Sequence, residues 1–114
     1  MDNLVEEVFK LNQELTASIK RLAENGKALA NAEKDYKMAL REEVLILRAE
    51  KMAVTLIDLV IYGVPRVAEL RLKRDIAKTI YETNQEHINV TKLKIRILES
   101  QISREFSVAG TNGM

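Results

Sequence analysis

A seam of apolar and small residues at heptad spacing constrains this chain more than any other feature. Val8, Leu15, Leu22, Leu29 and Tyr36 recur at intervals of seven, and Leu11, Ser18, Asn25, Ala32 and Ala39 each follow three residues later. An a/d pattern sustained over five repeats marks a helix that buries one narrow stripe against another helix. The helix breakers fit that reading. The chain has one proline and four glycines. Gly63 and Pro65 lie together near the middle, Gly110 and Gly113 lie in the C-terminal SVAGTNGM segment, and only Gly26 interrupts a helical pattern. Asn25-Gly26 would ordinarily stop a helix. The heptad phase runs through it unchanged, so one continuous first arm over 2–50 is expected, with a break at Asn25-Gly26 and three helices in all as the alternative; the arm is capped at Asp2 or Asn3 with Glu6 and Glu7 favourably placed in its first turn.

The character of the chain changes at Lys51. KMAVT is a poor helix former, Thr55 is suited to cap a short helix over Leu56 to Tyr62, and Gly63 is suited to end it. The apolar run from Met52 to Tyr62 falls well short of the roughly 20 residues needed to span a bilayer, so it reads as a buried turn or short core helix. Residues 51–64 therefore form a connector. Pro65 then opens a second arm over 65–106, because a proline in the first helical turn gives up an N–H that has no partner there anyway. Residues 107–114 read as a disordered tail, leaving 1–109 as one domain.

The second arm carries two apolar stripes. Val67, Leu70, Ala77, Tyr81, Ile88, Ile95, Leu98 and Ile102 follow heptad phase, with Arg74, Asn84 and Thr91 interrupting. Leu72, Ile76, Ile80, Val90, Leu93 and Ile97 form a second stripe offset by two residues, about 200° around the helix. A short connector makes the arms antiparallel neighbours. Pairing them uses one stripe and leaves the other bare, which a stable monomer rarely tolerates. The expected fold is all-α: an antiparallel, coiled-coil-like helical hairpin with a short connecting helix, dimerising into a four-helix bundle through Leu72, Ile76, Ile80, Val90, Leu93 and Ile97.

Signals of chemistry are sparse. The 114 residues contain no Cys and one His, so there is no thiolate site and no disulfide framework, which suits a cytoplasmic setting. The opening MDNLVEEVFK is acidic and lacks the basic-then-apolar pattern of a signal peptide. His87 has no Glu-x-x-His partner, and its neighbour Glu86 points about 100° away, so no metal site, no cofactor and no catalytic residue is expected. No phosphate-binding loop or nucleophile elbow occurs. The basic cluster Arg66, Arg71, Lys73, Arg74 and Lys78 is a candidate nucleic-acid contact, with Arg71, Arg74 and Lys78 on one face. Glu69 and Asp75 dilute it, aromatic stackers are scarce, and the net charge is only +1, so it ranks below protein docking. Within the seam, Asn84 is expected to set register against either a symmetry mate or the other arm, and Arg74 to snorkel or meet an acid of the first arm.

From Leu47 to Phe106 the chain resembles a family of small, uncharacterised helical proteins encoded by phages and prophages of Gram-positive bacteria. The shared features are LRAE followed by VTLI, a glycine, VAELR-x-KRD-x-A, and a terminal ILE-x-QI-x-RE plus an aromatic; ENGKALANAE and REEVLILRAE in the first arm also fit. Ala53 departs from the pattern, which carries proline there. The resemblance implies a cytoplasmic protein of the infected host that acts around phage DNA replication or recombination, or on a host factor. It carries no site residues. The sequence thus predicts a non-enzymatic, homo-oligomeric interaction protein with an unidentified protein partner and no membrane association; a DNA-binding accessory is the alternative.

Overall fold

The computed structural model describes residues 3–112. They form α1 (Leu4–Ala49), α2 (Val54–Val60), a single 3-10 turn (Ile61–Gly63) and α3 (Pro65–Asn112), with no strand among the described residues. The all-α helical hairpin expected from the heptads is the fold. The Asn3 carbonyl accepts the Glu7 N–H at 3.0 Å to start α1, with Glu6 and Glu7 in the first turn; Asp2, the other expected cap, lies outside the described residues.

α1 ends in a Schellman motif that no glycine announces. Lys51 adopts φ 63. The Met52 N–H reaches the Leu47 carbonyl at 3.1 Å and the Lys51 N–H reaches the Arg48 carbonyl at 2.9 Å, which satisfies two carbonyls left open by the helix end. Leu47 and Met52 then pack on the same core cluster, the hydrophobic contact that usually accompanies this motif. α2 begins at Val54, two residues earlier than the expected start at Leu56: Ala53 is its N-cap, extended at φ −63 and ψ 140, and makes no side-chain bond. Thr55 therefore sits within the helix, and the expectation that it caps is corrected. Pro65 opens α3 as expected, after Val64 turns the chain. α3 runs on to Asn112, through residues that the sequence reads as a disordered tail; Gly113 and Met114 lie outside the described residues.

The contacts divide the chain into two compact units, residues 24–82 and the pairing of 1–23 with 83–114. The reason is local. In a pair of helices each stretch touches only the stretch opposite, so there is no single centre for a core to gather around.

In the unit of residues 24–82, the arms run antiparallel, as successive cross-helix contacts show: Gly26 with Tyr81, Tyr36 with Arg74, and Glu42 with Arg66. Tyr36, Ile57, Ile61 and Val67 form its buried cluster, edged by Leu40, Val44, Leu47, Met52, Val64 and Leu70. The seam of α1 thus moves from Tyr36 and Ala39 to Leu40, Val44 and Leu47. A straight helix drifts about 20° per heptad, so five heptads turn the stripe by about 100°, one residue's step. Asn25-Gly26 lies inside α1 without a break. A Cβ on Gly26 would stand 3.2 Å from Tyr81 Cε1, so the glycine makes room for an aromatic ring on the facing helix.

In the unit that pairs 1–23 with 83–114, the seam is partly polar. Ser18, Asn84 and Thr91 are buried alongside Ile88 and Ile95. Asn84 Nδ2 donates to the Ser18 carbonyl at 3.1 Å and to Ser18 Oγ at 2.9 Å. Asn84 therefore sets register against the other arm of its own chain. Thr91 turns its hydroxyl to the His87 carbonyl at 2.8 Å, which hides its polarity within its own helix.

Candidate interaction surface

The inner stripe of α3 is covered and the outer one is not. Val67, Ile88 and Ile95 are buried, and Leu70, Ala77, Tyr81, Leu98 and Ile102 are half-buried. On the outer side Leu72 keeps 59% of its surface and Ile76 and Ile80 keep 50% each in the unit of residues 24–82; Leu93 and Ile97 keep 54% and Val90 39% in the other. A side chain half in water forgoes about half of the benefit of roughly 25 cal/mol per Å² that full burial would return. Their exposure follows from the two-residue offset: a helix that turns Val67 and Ile88 toward its partner must turn Ile76 and Ile97 away.

A shallow groove runs beside the outer stripe in the unit of residues 24–82. Its volume is about 200 Å³, and Asn25, Ala28, Lys73, Ile76, Ala77 and Ile80 line it. Ala28 and Ala77 contribute small side chains to this lining, and Ile76 and Ile80 larger ones.

The connector adds an exposed surface that the sequence reading missed. Met52 to Tyr62 reads as a buried segment, yet only Ile57 and Ile61, four residues apart, are buried. Leu59 is 81% exposed and Val54 62% exposed, with Leu56, Val60 and Tyr62 also outward. A seven-residue helix lying on a core can hide one face only. The near-continuous apolar run was itself the available signal, since a short helix packed by one face cannot bury every side chain in it.

The basic cluster does not present one free face. Arg66 Nη1 donates to Glu42 at 2.7 Å and to Glu43 at 3.4 Å. The hydrogen bond to Glu42 raises its pKa, against the opposing effect of burial, and the nearby carboxylates add to the rise, so it stays charged. Arg71 lies over the Tyr62 ring at 4.9 Å. Arg74 lies over Tyr36 at 4.7 Å and bonds Asp75 at 2.8 Å. Of the two expectations for Arg74, the acid of the first arm is corrected: that arm offers the Tyr36 ring, and the acid paired with Arg74 is Asp75 of its own helix. Lys73 borders the groove, and Lys78 is exposed. His87 Nε2 is 3.1 Å from Glu14 Oε1, a partly exposed pair between the arms.

Among the described residues no group of three or more His, Asp or Glu is placed to hold a metal, and no helix is long and apolar enough to cross a membrane. No protein family, curated protein or solved structure matches the chain.

Proposed function

We propose that this chain is a non-enzymatic, oligomeric interaction protein that works by offering helix faces to other polypeptides. The observation that carries the reading is the outer stripe of α3, where Leu72, Ile76, Ile80, Val90, Leu93 and Ile97 stand in water on helices already paired elsewhere. Apolar anchors at i, i+3/i+4 and i+7 spacing are the pattern by which one helix lies along another or in a groove. The resemblance to phage-encoded helical proteins suits an accessory or inhibitor of this kind in the host cytoplasm, docking on an unidentified protein.

Site-specific crosslinking in the cell tests the reading. A photoreactive residue at Leu93 or Ile97 should give discrete protein adducts, and the same residue at exposed Lys92 should give few. Equal adducts at all three positions, or none, would remove the outer stripe as a docking surface.

A further inference from the structure

The two units bury different kinds of residue. We infer that the arms of the unit pairing 1–23 with 83–114 separate in a single step while residues 24–82 stay folded, so that the hairpin opens at its free ends and holds at its connector. The inference makes no use of the outer stripe.

What each unit buries is the first argument. Among the described residues, the buried hydrophobic cluster draws every member from 24–82. Ile57 of α2 and Ile61 of the turn after it join Tyr36 of α1 and Val67 of α3, so the connector adds a third wall to the two long helices. The other unit consists of segments of α1 and α3 alone. Two helices without a third layer leave their seam partly wet. Val8, Leu11, Leu15 and Leu22 accordingly stay half-buried, and the α1 side chain that is fully covered there is Ser18. Across from it, Asn84 and Thr91 take seam positions between Ile88 and Ile95. Apolar burial is the dominant favourable term in folding, whereas a hydrogen bond that replaces one to water adds little net. Asn84 exchanges water for Ser18, so it fixes alignment more than it adds cohesion. The contact of His87 with Glu14 is partly exposed, where such pairs also add little.

Connectivity is the second argument, and it sets the order of events. Residues 24–82 contain the connector and close on themselves over a short loop. The two segments of the other unit are joined only through that whole stretch. Were 24–82 to unfold first, the outer segments would have to stay paired across a long flexible loop, and the entropy of closing a loop grows with its length. Separating the outer segments first leaves every member of the apolar cluster in place. The opened state bares Leu11, Leu15, Ile88 and Ile95 without disturbing the connector, and partial openings of this kind supply the segments that move in switching proteins.

Hydrogen exchange of the native chain, resolved by residue and followed at low urea, tests this. Amides of 11–22 and 84–95 should exchange on the order of 100-fold faster than those of 36–47 and 67–77, with a weaker urea dependence because less surface is exposed in reaching the open state. Leu15→Ala should speed exchange about 10-fold in the first two segments and leave the other two unchanged. Equal protection in all four segments with one shared urea dependence would overturn the inference. So would Leu15→Ala accelerating all four alike. A smooth gradient rising from the termini, with no step common to 11–22 and 84–95, would mean ordinary end fraying and would overturn it as well. The unmodified chain gives the first and third readings, so the outcome stands even if Leu15→Ala fails to fold.

Discussion

Individual side chains decide where this fold turns and where it locks. Lys51 occupies the left-handed region at φ 63, a conformation that costs an L-residue roughly 1–2 kcal/mol and glycine almost nothing. The Schellman bonds around it hold it there. Lys51→Gly should therefore raise stability by about 1 kcal/mol, seen as a higher urea midpoint with an unchanged slope, while Lys51→Ala should give no such gain. This turn was hidden in the sequence because its key residue is not one that favours positive φ. Asn84 was legible as a polar residue in an apolar seam, but not its partner. A heptad pattern says that a side chain faces inward, and it cannot say whether the facing carbonyl belongs to the same chain. Arg74 was opaque for a similar reason: opposite it lies Tyr36, whose ring face attracts the guanidinium, and its acidic partner Asp75 comes from its own helix rather than from the facing arm.

At the level of elements, long-period pattern was the informative signal. The seam through Tyr36 and Ala39, the passage of α1 through Asn25-Gly26, and the start of α3 at Pro65 all follow from heptad phase and breaker placement. The connector resisted because α2 is too short to display a period. Its two faces differ sharply in consequence. Ile57 is 3% exposed within the cluster of Tyr36, Ile61 and Val67, so Ile57→Ala should destabilise the chain by about 2–4 kcal/mol through lost transfer energy and a residual cavity. Leu59, two residues on and facing water, should tolerate alanine within about 0.5 kcal/mol. Thermal unfolding of the two variants checks the assignment, and equal losses would mean that α2 lies on the hairpin differently. The outer stripe was fully legible as a pattern, because spacing alone places Leu72, Ile76 and Ile80 away from Val67 and Leu70. A partner for it was not, since apolar spacing records a preference for contact and leaves the partner unspecified.

At the scale of the whole molecule, the balance between buried and exposed apolar groups dominates. Tyr36, Ala39, Ile57, Ile61, Val67, Ile88 and Ile95 make up the buried apolar core, and a longer set of large apolar side chains stays in water. Small cores rarely supply more than a few kcal/mol on their own. Stability should then be linked to association, and the thermal midpoint should rise by on the order of 5 °C or more across a hundredfold increase in protein concentration. A midpoint independent of concentration would show that the hairpin carries its own stability.

The bond from Asn84 to Ser18 has a consequence for how such molecules come together. Because that amide is spent on its own chain, each polypeptide can align its two arms before it meets anything else. With Ile57 and Ile61 fastening the bend, trading arms between copies would mean tearing out both the fastening and the alignment. Any copies that joined would do so as finished pieces, able to part and change companions without coming undone.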